Sequence, residues 1–134
     1  MDLSQYSILA IVLAAVSSFA VGGLWYSPLL FGPAWMRESG MTEEKVKQAN
    51  MAKIYGLAFV LSLLAAFVFA LFLGPDPAPG LAAGAGFAAG AFWVAASFGI
   101  NYLFEQKSLK LFLINGGYHT VQFTLIGLVL GLWP

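Results

Sequence analysis

Four stretches without a single Asp, Glu, Lys or Arg dominate the sequence: Leu3 to Met36, Ile54 to Pro75, Pro77 to Phe104 and Leu111 to Pro134. About 20 apolar residues in a helix cover the roughly 30 Å hydrocarbon core of a bilayer. Each stretch reaches that length, and backbone groups in hydrocarbon must be satisfied internally. The expectation is an all-α integral membrane protein: an antiparallel four-helix transmembrane bundle filling residues 1–134 as one domain, with both termini outside. The predicted spans are about 4–26, 53–73, 80–104 and 108–132, with a cytoplasmic loop at about 27–52. Pro28 and Pro33 interrupt the first stretch, so its helix ends near Trp25 or Tyr26 and Leu29 to Met36 lies at the interface. Trp133 is placed where an indole ring sits at headgroup level.

Composition removes several classes of protein. Of the residues, 60% are hydrophobic and 9% charged, where a soluble domain carries about 25% charged residues. Six basic against six acidic residues leave no net charge, so no basic surface is expected to hold nucleic acid by counterion release. The absence of cysteine excludes disulfides and thiolate metal sites, and a single histidine excludes a self-contained multi-histidine metal centre. The start, Met1-Asp2-Leu3-Ser4-Gln5, has no basic residue, and the first stretch runs into an aromatic segment without a small-residue cleavage site. Both features predict a retained span and not a cleaved leader.

The basic residues predict orientation. Arg37, Lys45, Lys47 and Lys53 precede the second span, and Lys107 and Lys110 join the third to the fourth; the other three connections and ends carry none. The positive-inside rule places both basic loops in the cytoplasm and both termini outside. In the larger loop, Thr42 reads as an N-cap, with Glu43 and Glu44 at the positive end of a helix and Met41 stapled onto Val46. One helix from Glu43 to Leu73 is expected, about 46 Å long, whose first turns project into the cytoplasm as a partner surface or a plain solvated extension. The link from Gly74 to Gly80 reads as a rigid external turn, because its prolines cannot continue a helix.

Small residues recur every three or four positions on all spans, for example at Ala82, Gly86 and Gly90 and at Gly116, Thr120, Thr124, Gly127 and Gly131. Such stripes let helices approach closely in lipid and argue against a wide pore within one chain. Polar residues form two lines: Asn115, His119 and Gln122 on the fourth span, and Trp93, Ser97 and Asn101 on the third. The expectation is that these lines face each other as an interhelical polar cluster, away from the Gly127 and Gly131 face. His119 admits three readings: a neutral, hydrogen-bonded structural residue, a proton or ion handler, or a ligand to haem or chlorin metal. The segment from Gly22 through Trp25 and Tyr26 to Pro28 reads as an aromatic belt with a helix stop, or as the hinge of an interfacial lid over Leu29 to Trp35. Trp25-Tyr26 with Leu30-Phe31 loosely parallels Asn101-Tyr102 with Leu103-Phe104, a trace of a duplicated hairpin.

Three segments together resemble a family of small bacterial membrane proteins catalogued as domain of unknown function 1761: Gly23 to Gly32 with Trp35, Asn101 to Glu105, and Leu109 to Asn115 with Gly117-Tyr118. The resemblance covers essentially the whole chain and implies a four-span protein of the bacterial inner membrane. It supplies no activity, cofactor or catalytic residue. No acid lies deep in a span to serve catalysis, so the expectation is not an enzyme and no cofactor is called for. The leading expectation is an accessory membrane subunit whose partners are the bilayer and itself or another membrane protein, with no nucleic acid. Residues Gly22, Trp25, Tyr26, Gly86, Gly90, Gly127 and Gly131 would serve its packing or interfaces. The alternatives are a small channel or transporter using the polar cluster around His119, and haem or chlorin ligation by His119.

Overall fold

Short polar side chains set the helix starts. Ser7, Thr42, Asn50 and Ser108 each accept a hydrogen bond from the backbone N–H three residues on, at 3.1 Å in every case. In the computed structural model, which describes residues 2–134, these caps open helices α1 (Ile8–Trp25), α3 (Glu43–Gln48), α4 (Met51–Leu73) and α7 (Leu109–Leu132). Helix α2 (Gly32–Ser39) has Pro33 in its first turn, and α5 (Pro79–Ala89) starts on Pro79, where a missing N–H is harmless. A π-helical turn, Gly90–Ala95, joins α5 to α6 (Ala96–Glu105), so that Pro79–Glu105 is one continuous third long helix. No strand occurs among the described residues.

Three helices, Ile8–Trp25, Met51–Leu73 and Pro79–Glu105, are long and apolar enough to cross a membrane. Helix α7 is as long, at 24 residues, but more polar because it carries Asn115, His119, Thr120, Gln122 and Thr124. The single helix expected from Glu43 to Leu73 is corrected to two. Ala49 is extended, and the Asn50 side chain accepts from the Lys53 N–H, which restarts the chain as α4. An asparagine that can cap outcompetes helix continuation at an exposed position.

The long helices pack antiparallel in sequence-adjacent and distant pairs. Along the third helix and α7, Pro79 and Ala82 meet Gly131 and Gly127, Gly86 meets Phe123 and Thr124, Gly90 meets His119 and Thr120, and Ala95 meets Gly116. Helix α7 lies between the third helix and α1, and α4 packs chiefly on α1, where Phe19 contacts Tyr55 and Phe59 edge-on. The described core is made of small residues: eight of its thirteen buried hydrophobic residues are alanine, around a fully buried Ile126. Leucines, valines and phenylalanines from all four long helices point outward instead. That inversion suits a surrounding of lipid, which gives no hydrophobic drive to bury large side chains but rewards close backbone approach.

The two ends of the molecule differ. Tyr6, Asp76, Pro77 and Trp133 line a small cavity of about 120 Å³ at one end. All six basic residues belong to the other end, in α2, α3, the start of α4, the turn from α6 to α7 and the first turn of α7. That turn is tight: Gln106 adopts a left-handed backbone (φ 57°), and the Lys107 N–H donates to the Tyr102 carbonyl at 2.9 Å.

Candidate functional site

The polar and aromatic side chains of the molecule converge at its basic end, where α1 stops. Two pairs of residues fasten α1 to α7 by filling each other's glycine gaps. The Trp25 indole N–H donates to the Ile114 carbonyl at 2.9 Å, and a Cβ added to Gly117 would stand 3.2 Å from the indole ring. Reciprocally, the Tyr118 hydroxyl donates to the Ser18 carbonyl at 3.1 Å, and a Cβ added to Gly22 would stand 2.9 Å from the Tyr118 oxygen. The chain then reverses through a knot of backbone bonds, Phe31 N–H to the Trp25 carbonyl at 2.9 Å and Gly32 N–H to the Ser27 carbonyl at 3.0 Å. Gly32 is required there, since a Cβ would come within 2.5 Å of the Tyr26 carbonyl oxygen. The reversal lays Phe31 against Trp25 and Trp35 edge-on to Tyr26, so α2 covers the cluster as a short amphipathic flap.

Asn115 is the centre of this site. The Tyr26 hydroxyl donates to its Oδ1 at 2.7 Å, and its Nδ2 donates to the Tyr102 hydroxyl oxygen at 2.7 Å. One amide thereby ties the end of α1 to the end of α6 across α7, using both of its functions. One turn deeper, His119 Nδ1 is 2.8 Å from Gln122 Oε1, while Phe98 stacks on the imidazole with centroids 5.0 Å apart and planes 13° from parallel. Tyr118 flanks the same ring at 4.9 Å. Oε1 can only accept, so this contact suits the neutral tautomer with its proton on Nδ1 and its lone pair on Nε2. Among the described residues no group of three or more His, Cys, Asp or Glu could hold a metal ion.

The structure brings together Trp25, Tyr26, Asn115, His119 and Gln122, and sets Gly22 beneath Tyr118. It does not bring Trp93, Ser97 and Asn101 to them. All three are exposed on the outer face of the third helix, and the Ser97 hydroxyl donates to the Trp93 carbonyl of its own helix at 2.7 Å. The expected facing of the two polar lines is corrected, and the π-helical turn is the cause. In a straight α-helix the packing stripe Ala82, Gly86, Gly90 continues onto the Trp93, Ser97, Asn101 line. The extra residue of a π turn advances the stripe by one position, to Ala95, Gly99 and Tyr102, each of which contacts α7. The bulky indole of Trp93 would otherwise meet α7 next to Gly90, where a Cβ would lie 2.6 Å from the His119 carbonyl oxygen. Tyr102, Phe98, Tyr118 and Gly117 are the site residues missed by counting along a regular helix. Tyr102 parallels Tyr26 in the weak hairpin similarity, and both tyrosines meet on the Asn115 amide.

The fold and the site define an all-helical protein with membrane-spanning candidates and an internally bonded polar cluster. The model of a family described as "Protein of unknown function (DUF1761)" matches residues 9–131. The chain belongs to this family, and the match includes every residue of the cluster. No curated protein matches, and no solved structure does.

Proposed function

We propose that this chain is a non-catalytic integral membrane subunit that acts by lateral association with a second copy or with a larger membrane complex. In this reading α7 is a fourth membrane crossing, the basic end faces the cytoplasm of a bacterial inner membrane, and both termini lie outside. The basic residues gathered at one end support the orientation. The antiparallel pairing of α7 with the third helix over its length supports the fourth crossing.

The observation that carries the reading is the outward face of the third helix. Trp93 is 67% exposed and lies about 18 Å along the helix from Glu105, near the middle of a bilayer and away from the headgroup level that indoles favour. Left to hydrocarbon, an unpaired indole N–H is costly. Ser97 next to it keeps free lone pairs, and Asn101 offers both a donor and an acceptor. Another helix carrying the same three groups satisfies this set, donor to acceptor. The Tyr26–Asn115–Tyr102 cluster serves as the internal fastener that holds the presenting helix in place.

The chain has no cysteine, so Ser97→Cys creates a single crosslinking handle. Disulfide capture in native membranes, with native mass measurement of the gently extracted wild type, is expected to give a fixed multimer or a defined complex. Recovery as a bare monomer without crosslinks would sink the proposal. A second reading rests on His119, whose Nε2 lone pair is set by Gln122 and is suited to a haem or chlorin metal or to proton movement. Visible absorbance or proton flux in liposomes, lost in His119→Ala, would support it, and a colourless, flux-free wild type removes it.

A further inference from the structure

We propose that the groove between α6 and the start of α7 is a binding site for an anionic phospholipid, with one acyl chain in the groove and the phosphodiester at Lys107 and Lys110. The groove has a volume of about 390 Å³ and is walled by Ala96, Gly99, Ile100, Leu103, Leu109 and Phe112. That size lies within the range of about 300–1,000 Å³ typical of small-ligand sites. Gly99 makes the depression: it has no side chain, and the Phe112 ring stands beside it, 2.9 Å from where a Cβ would be. The groove runs along α6 from Ala96 to Leu103, with Lys107 beyond its end, about 10 Å by the helical rise. This lies within the roughly 15 Å depth of one leaflet, half of a hydrocarbon core about 30 Å thick.

The mouth of the groove carries the charge that selects the occupant. Lys107 lines it together with Tyr102 and Ser108, its stem lying on apolar surface and its ammonium free to reach the headgroup level. Lys110 is exposed on the first turn of α7, and Glu105 is the acid of the same turn, which leaves one net positive charge there. Basic pockets between helices at the cytoplasmic side are where anionic headgroups are held. An apolar trough with Lys107 at its mouth, and Lys110 exposed on the first turn of the adjoining helix, matches an acyl chain ending at a phosphate. The inference needs only the membrane setting: a monomer that retains lipid would end the subunit reading and leave this one standing.

The test is native mass spectrometry of the full chain extracted with equal amounts of phosphatidylglycerol and phosphatidylcholine. Preferential retention of phosphatidylglycerol is expected, falling about fivefold in Lys107→Gln, the effect of one lysine near an anionic surface. Lys53→Gln, at the same end but on α4, is expected to change nothing. Ala96→Phe fills the groove and should reduce retention of both lipids, and Leu103→Phe provides a second filling variant where the first disturbs folding. Equal losses in Lys53→Gln and Lys107→Gln would overturn the proposal, as would undiminished binding in both filled variants. Displacement of the lipid by glycerol 3-phosphate at matched concentration would also overturn it, by showing a site for the anion without the chain.

Discussion

Replacing Gly86 by alanine tests whether close approach of the third helix to α7 holds this fold together. The Cβ of Gly86→Ala would collide with the Phe123 carbonyl and lie 3.0 Å from the Thr124 Cα, both main-chain atoms that cannot swing aside. The Phe123 carbonyl carbon would stand at 2.7 Å, where ordinary contact begins at 3.4 Å. The helices must therefore separate by about 0.7 Å or more, enough to forfeit a large part of the dispersion energy along the contact. Overpacking of this kind costs about 1–3 kcal/mol. Gly84 supplies the control: it sits two residues away on the same helix, exposed, with nothing within 4 Å of an added Cβ. Helices persist in the membrane-unfolded state, so the propensity gain of alanine nearly cancels, and Gly84→Ala should lie within about 0.5 kcal/mol of the parent. The assay is reversible unfolding in mixed micelles by titration with a denaturing detergent, followed by tryptophan fluorescence. Gly86→Ala is expected to lie about 1–3 kcal/mol below Gly84→Ala. Gly127→Ala, which strikes the Ala82 carbonyl from the other side, should add less in the double variant than alone, because the first separation relieves the second. Equal stability of Gly84→Ala and Gly86→Ala would refute the reasoning.

Three further outcomes are expected. A double-mutant cycle between Tyr26→Phe and Asn115→Ala should give a coupling of about 0.6–1.7 kcal/mol in the same unfolding assay, and zero coupling would mean that the 2.7 Å bond contributes nothing net. Gln106→Gly should stabilise the protein by about 0.5–1 kcal/mol, since it relieves a left-handed residue at the end of α6, and a lower unfolding midpoint would contradict it. Single cysteines at Lys47 and Asp76 should react oppositely with an impermeant thiol reagent in intact cells, Asp76→Cys labelled and Lys47→Cys protected; the reverse pattern would invert the orientation.

Much of this architecture is legible in the residues themselves. Prolines at 28, 33, 75, 77 and 79 bound the helices, Ser7, Thr42 and Ser108 cap them, and the small-residue stripes at Gly86, Gly90, Gly127 and Gly131 meet as their spacing implies. Asn50 was harder, because an asparagine within a run of helix formers becomes a cap only when its side chain finds the backbone N–H at Lys53. The site was half legible. Asn115, His119 and Gln122 share a face by simple counting, but their partners Tyr102 and Phe98 on the third helix depend on the π turn, which no composition rule places at Gly90–Ala95. The turn keeps the Trp93 indole off the backbone of α7, which passes close to Gly90, and counting along one helix does not register a neighbour.

The π turn also makes the third helix behave like a text read in frame. Straightening the turn to a regular α-helix at unchanged chain length would leave both flanking helices intact in composition, hydropathy and length of apolar run, yet it would rotate all of α6 by about 100° relative to α5. Asn101 would then stand where Tyr102 now meets Asn115, Ser97 would replace Phe98 over His119, and Tyr102 would turn outward. Losing the turn without losing a residue is thus an exchange of surfaces, with the inner and outer faces of ten residues trading places, whereas deleting one residue within it straightens the helix and keeps Phe98 and Tyr102 on α7. Within such a family, a chain one residue shorter at this turn would present the same faces from a straight helix, so that length and helix type there must change together.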